Sequence, residues 1–181
     1  MSCKLTANVN KTNCTYQTAG LLAIYLINFD PANKWTFESE NPNSIETIVL
    51  AGEGNKAYKL EFSEATASFS DELATNGNGG KYRTHTVNFT LSDYDYNILN
   101  QGDALSLGKF TAVVVDKNGR CIVLGRNNGL SATSFNYASG AADSDASGWT
   151  TVLAGTETEI GKLLKDQTVI TSIVDPVVIT P

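Results

Sequence analysis

Residues 62–89 read FSEATASFSDELATNGNGGKYRTHTVNF, two alternating arms around a glycine-rich centre. That centre, ATNGNGGK, has the asparagine and glycine density of a turn and predicts a flexible tip. Side chains alternate faces along a strand, so each arm divides into two sides. On the outgoing arm Tyr58, Leu60 and Phe62 oppose Lys59, Glu61 and Ser63. Beyond Ser63 the apolar set changes sides: Ala65, Ala67, Phe69 and Leu73 oppose Glu64, Thr66, Ser68, Ser70 and Glu72. On the return arm Val87, Phe89 and Leu91 form an apolar side, whereas residues 81–86 are polar apart from Tyr82. A phase change without a turn residue predicts a bulge or a change in what the strand packs against.

Taken over residues 57–91, each arm approaches about sixteen residues, against about 3–10 for an ordinary strand. At about 3.3 Å per residue such an arm reaches about 50 Å, which exceeds the width of a compact domain of 181 residues. An isolated two-stranded ribbon is marginal in water, and its long edge invites pairing with another chain. Neighbouring subunits are therefore expected to complete this hairpin, with only its base in the domain core. The side carrying Glu64, Thr66, Ser68, Ser70 and Glu72 is expected to face water or a lumen. Ala65, Ala67, Phe69, Leu73 and Tyr82 are expected on the inter-subunit side. Arg83 and His85, with Lys81, put positive charge on one return-arm face, and that face is expected to meet a neighbour's acids.

Strand signals dominate the rest of the chain. GLLAIYLINF at 20–29 is continuously apolar and short, as a strand buried on both faces would be. Strand pieces follow at 35–37, 45–50 and 58–62, separated by turn clusters at 41–44 and 52–55. SDYDYNILNQG predicts a helix at 92–101, with Ser92 as N-cap, Asp95 in capping-box position and Gly102 ending it. KFTAVVVDKNGRCIVLG reads as a tight hairpin around residues 116–119. LSATSFNYA and WTTVLAG form a third hairpin around a flexible loop at 138–148, and Thr156 with Glu159 is read as capping a short helix through Leu164. No repeat or linker divides the chain. The expected fold is mainly β: a single β-sandwich or partial barrel over residues 1–181, with one long protruding β-hairpin at 57–91 and one short packed α-helix.

Composition narrows the function classes. The net charge of −6 argues against affinity for nucleic-acid phosphates, which needs a basic patch. No apolar run reaches the ~18 residues of a transmembrane helix, and MSCKLTANVNKTNC lacks the apolar centre of a secretory signal, which predicts folding in a cytoplasm. Cys3, Cys14 and Cys121 lack CxxC or Cys/His spacing and read as free thiols, a Cys3–Cys14 bridge being the alternative. His85 is the only histidine, so no common zinc ligand set can be assembled, and no GxSxG, P-loop or GxGxxG pattern occurs. Residues 143–148, DSDASG, copy the first half of a calcium loop. The twelfth position, however, is Ala154 rather than glutamate, so this stretch reads as a polar loop. No enzyme, no cofactor and no metal are expected.

With these pieces in order, the chain resembles the tail tube proteins of tailed bacteriophages and the related virion ring proteins, including those of Bacteroidetes phages. The resemblance rests on TAGLLAIYLINFD, EATASFSDELATNGNGGKYRTHTVNFTL, VVVDKNGRCIVLG and GLSATSFNYASGAADSDASGWTTVLAGTETE. It implies a non-enzymatic virion structural protein, made in the bacterial host cytoplasm and located in the tail. Self-assembly into a hexameric ring joins the long hairpins into an inner β-barrel, and rings stack into a conduit for DNA ejection. Its partners are then other copies of itself and other phage tail proteins; DNA is only non-specific passing cargo, and no membrane anchor is involved. Another phage ring, terminator or baseplate component is an alternative in the same class. A β-sandwich adhesin or carbohydrate-binding module is one from a different class, with Trp35, Trp149 and the tyrosines as stacking platforms.

Overall fold

The computed structural model describes residues 4–5, 7–9, 16–92, 94–142 and 144–176. Its centre is a pair of antiparallel strands, β1 (Leu21–Asn28) and a later strand at Lys109–Asp116, joined along nearly their whole length. Between them in the chain come β2 (Lys34–Phe37), β3 (Ser44–Val49), β4 (Ala57–Leu60), β5 (Ser68–Thr75), β6 (Lys81–Leu91) and α1 (Tyr96–Leu107). The central partner is therefore β7, and β8 (Cys121–Leu124), β9 (Leu130–Ala138), β10 (Gly148–Glu157), β11 (Lys162–Leu164) and α2 (Thr168–Thr171) follow it.

Among the described residues eleven strands join into one mixed sheet, ordered β2-β3-β11-β8-β7-β9-β10-β6-β5, with β1 against β7 and β4 against β1. The sheet divides at β7. Its residues 112–115 pair with β8, whereas Lys109 and Phe110 pair with the start of β9. Two wings thus leave the same strand and fold over opposite faces of the β1–β7 pair. Ile24, Leu26, Ala112 and Val114 meet Val87, Phe89, Leu130 and Leu153 in one core. Tyr25, Ile27, Val113 and Val115 meet Ile45, Ile48, Val123 and Ile170 in the other. This is why 21–28 is apolar at nearly every position: both faces of the strand are inside. Cys121 lies in the second core, where burial pushes its thiol pKa up, so it behaves as a small hydrophobe. Cys3 and Cys14 lie outside the described residues.

Several expectations give way to tertiary context. The hairpin spanning 57–91 is not continuous on its outgoing side. Residues 57–60 belong to β4 and pair with β1, and only from Ser68 does the chain pair with β6. Between them the chain turns, with Thr66 donating N–H and Oγ–H to the Ser63 carbonyl at 3.2 and 2.7 Å and Ala65 at φ 60°. The apolar phase change at Ser63 is therefore a real turn and not a bulge. The tip is organised by Asn76, whose Oδ1 accepts N–H from Asn78 and Gly80 at 3.1 and 2.8 Å.

The helix starts later than 92 and runs past 101. Leu91 still pairs with Trp149, so β6 runs right up to Ser92, and Asp95 becomes the N-cap by accepting from Ile98 N–H at 2.9 Å. Gly102 lies inside the helix against Phe135, and the Gly108 N–H closes the end on Ala104 O at 2.8 Å. Residues 162–164 form a strand between β3 and β8 rather than the end of a capped helix, since pairing on both sides outweighs local propensity. Ala138 and Gly148 still belong to strands, pairing with each other, so the described loop residues between them are 139–142 and 144–147. Within it the Asp145 carboxylate accepts N–H from Ala141 and Ala142, both at 2.9 Å, which holds its pKa below the ordinary value.

Candidate functional site

Strands β5, β6, β10 and β9 form a four-stranded wall on one side of the first core. Register assigns its faces. Phe69, Val87 and Leu153 stand in one row, and Val87 and Leu153 are fully buried. Residues of the same parity along each strand therefore point inward, and the intervening ones point out. The outward face carries Ser68, Ser70 and Glu72 of β5, then Thr84, Thr86, Asn88 and Thr90 of β6. It continues through Thr150, Val152, Ala154 and Thr156 of β10 to Ser131, Ser134 and Asn136 of β9. Glu72 is the only charged side chain in these rows. Amides and hydroxyls bond across and along the face, Asn88 Nδ2 donating to Ser68 Oγ at 3.4 Å and Asn136 Nδ2 to Ser134 Oγ at 2.9 Å.

Both sides of this wall end in unpaired backbone among the described residues. β5 pairs only with β6, and β9 beyond Ser131 pairs only with β10. The hairpin register shows which groups are open. Asn76 N–H bonds to Gly80 O, so hydrogen-bonded pairs alternate upward from the tip at 74, 72, 70 and 68. Phe69, Asp71, Leu73 and Thr75 consequently aim their N–H groups away from β6, toward the free edge.

The inward face near the tip is polar and largely bonded within the subunit, although His85 Nε2 and Glu157 Oε2 find no hydrogen-bond partner among the described residues. His85 is 1% exposed, and its Nδ1 accepts the Gly125 N–H at 3.2 Å. That assigns the ring proton to Nε2, which lies 3.2 Å from Asp71 Oδ1. Arg83 Nε also bonds the Asp71 carboxylate, Arg83 Nη2 reaches Asp71 O at 2.9 Å, and Gly161 N–H donates to Oδ2 at 3.0 Å. Burial pushes the Asp71 carboxyl up, but the Gly161 N–H, Arg83 and His85 together hold it below its ordinary value. Beside this group Glu157, 1% exposed, accepts N–H from Asn127 and Asn128 at 3.0 and 2.8 Å. Arg126 clamps Glu159 with two bonds, at 2.5 and 2.9 Å.

These placements sort the residues expected from sequence. Ser68, Ser70 and Glu72 stand together on the outward face, while Glu64 and Thr66 sit in the turn before β5 and join no ladder. Ala65 lies in that same turn. Ala67 and Phe69 pack into the subunit's own core, and Arg83 and His85 spend their polar groups on Asp71 and Gly125 rather than facing outward. Leu73 is exposed at the free edge, and Tyr82 is half-buried on the outward side. The β9 and β10 half of the wall was not anticipated as part of the site. Its signal was the alternation in WTTVLAGT, which places Thr150, Val152, Ala154 and Thr156 on one side.

Among the described residues, no three His, Cys, Asp or Glu side chains gather as a metal site requires, and no helix is long and apolar enough to cross a membrane. Asp143 lies outside the described residues. No protein-family model matches the chain, and no match was found among curated proteins or solved structures.

Proposed function

We propose that the chain is a virion structural subunit that joins copies of itself into a ring, the unit of a tail tube that conducts DNA. One observation carries this reading: a four-stranded wall with an almost uncharged polar face and an open backbone edge on each side. Pairing β5 of one copy with β9 of the next satisfies both edges, and closure of the ring removes the edges altogether. Four strands at about 4.8 Å spacing give about 19 Å of wall per copy. The hexamer implied by the family resemblance would then close about 24 strands into a barrel about 37 Å across, more when the strands tilt. Such a barrel admits a DNA duplex. A lumen of Ser, Thr and Asn with scattered acid offers phosphates no cationic anchor, so passing DNA is not held.

For the carbohydrate-binding alternative the two tryptophans are not bare platforms: Trp149 stacks with Phe135 and with Tyr94, and Trp35 packs against the second core, which leaves the exposed tyrosines as its candidates.

Leu73→Pro tests the ring directly. It removes an edge-directed N–H while leaving every β5–β6 bond in place. Sedimentation velocity and negative-stain microscopy should show rings for the wild type and monomers for the variant, at similar melting temperature. A wild type that stays monomeric at high concentration, or a Leu73→Pro protein that assembles normally, would refute the reading.

A further inference from the structure

Strand β4 keeps one edge that pairing of β5 with β9 does not cover. Among the described residues it pairs only with β1, apart from a bridge between Ala57 and Val174. At that bridge Ala57 donates its N–H to Ile173 O at 2.8 Å, and its carbonyl accepts Asp175 N–H at 2.9 Å. The backbone groups of Ala57 thus point away from β1, and alternation along the strand turns those of Lys59 the same way. They open into a cleft of about 530 Å³ between β4 and α1, lined by Leu26, Tyr58, Leu60, Ala104, Leu105 and Phe110. An apolar cleft beside unpaired strand backbone suits strand addition: the ladder supplies hydrogen bonds and the cleft takes alternate side chains. Left uncovered, such an edge is an aggregation hazard.

The chain itself carries a matching segment. Leu5, Ala7 and Val9 alternate as one face of a strand does. They belong to no strand among the described residues, and Leu5 and Val9 are each 87% exposed. In its own subunit, therefore, this arm does not fill the cleft. Leu5 to Val9 is four strand steps, about 13 Å, the same length as residues 57–61. We propose that the cleft beside β4 accepts Leu5, Ala7 and Val9 of a second copy as an added strand. Leu21, where β1 starts, follows Leu5 by sixteen positions. That gives the arm a reach of at most about 55 Å, against about 19 Å of wall per copy. So short a strand binds weakly between free monomers, whereas a ring holds the neighbour at high effective concentration. The donor strand therefore rests on the ring reading, and it adds a contact that neither β5 nor β9 makes. Arm and cleft are different surfaces, so each copy gives to one neighbour and receives from another.

Full-length protein with Tyr58 replaced by the photo-crosslinker p-benzoylphenylalanine tests it. Samples are assembled from ¹⁵N-labelled and unlabelled copies, so that mass spectrometry separates cross-links between copies from those within one. Negative-stain microscopy scores rings in the same samples. Rings should form, with cross-links from position 58 to residues 4–9 of a different copy. Two changes should each cut that yield at least about tenfold while leaving rings of normal diameter. Ala104→Trp fills the cleft from an exposed helix position, and Leu5→Ser combined with Val9→Ser removes the donor's apolar side chains. Rings that cross-link only within one chain, or only to another segment of the neighbour, overturn the donor strand and leave the ring reading standing. An undiminished yield in either variant does the same. Parent protein that forms no rings overturns both.

Discussion

Asp71 shows how a side chain that alternation marks as one polar residue among many becomes a junction once register is known. Opposite His85 in the ladder, it gathers Arg83, His85 and the Gly161 N–H onto one carboxylate. Its pKa is lowered on folding, so it contributes stability above the ordinary carboxylate value and loses that contribution as pH falls through the folded value. Asp71→Asn should therefore destabilise the protein at neutral pH by about 1–3 kcal/mol. It should also flatten the decline in melting temperature below about pH 4. A variant whose acid limb matches the wild type would show that Asp71 is not the titrating group. The period-two reading could place Ser68, Ser70 and Glu72 on one side because that pattern is local. It could not place His85 inward, because the acceptor role of its Nδ1 depends on Gly125, forty residues away.

At the scale of elements, β1 was legible because burial on both faces leaves an unbroken apolar run. The hairpin around 116–119 was legible because its turn chemistry is local, Asp116 Oδ1 accepting N–H from Asn118 and Arg120 at 2.9 and 2.8 Å. The helix was displaced for a non-local reason: Ser92 and Asp95, three residues apart, could each have capped it, and the pairing of Leu91 with Trp149 decided between them. The difference is measurable. Asp95→Ala should cost about 1 kcal/mol through the lost cap, while Ser92→Ala should stay within about 0.5 kcal/mol, as surface substitutions usually do. Equal losses, or a larger loss at Ser92, would mean that the helix begins where local sequence alone places it. The divided outgoing arm has the same origin. Tyr58–Phe62 and Phe69–Leu73 each alternate correctly, but their partners are different strands, β1 and β6.

The whole molecule is built on two strands that serve two cores. Ile24 points into the core beneath the wall and Ile27 into the core beneath β2 and β3, from one strand of eight residues. Neither core can lose its floor without exposing the other, so the two wings are expected to unfold together although they share little other pairing. This coupling matters for assembly, since a wall presenting open edges on both sides must stay folded before a neighbour arrives. The two tryptophans report the two sides separately, Trp149 packing against the first core and Trp35 against the second. Ile24→Ala and Ile27→Ala should each cost about 2–5 kcal/mol. In proteins retaining only Trp35 or only Trp149, both substitutions should move the fluorescence midpoint in urea by the same amount for either reporter. Two separated midpoints, with Ile24→Ala shifting only the Trp149 signal and Ile27→Ala only that of Trp35, would show that the β1–β7 pair does not bind the wings into one cooperative unit. The wall would then be an independently stable sheet, and its readiness for lateral pairing would not depend on the second core.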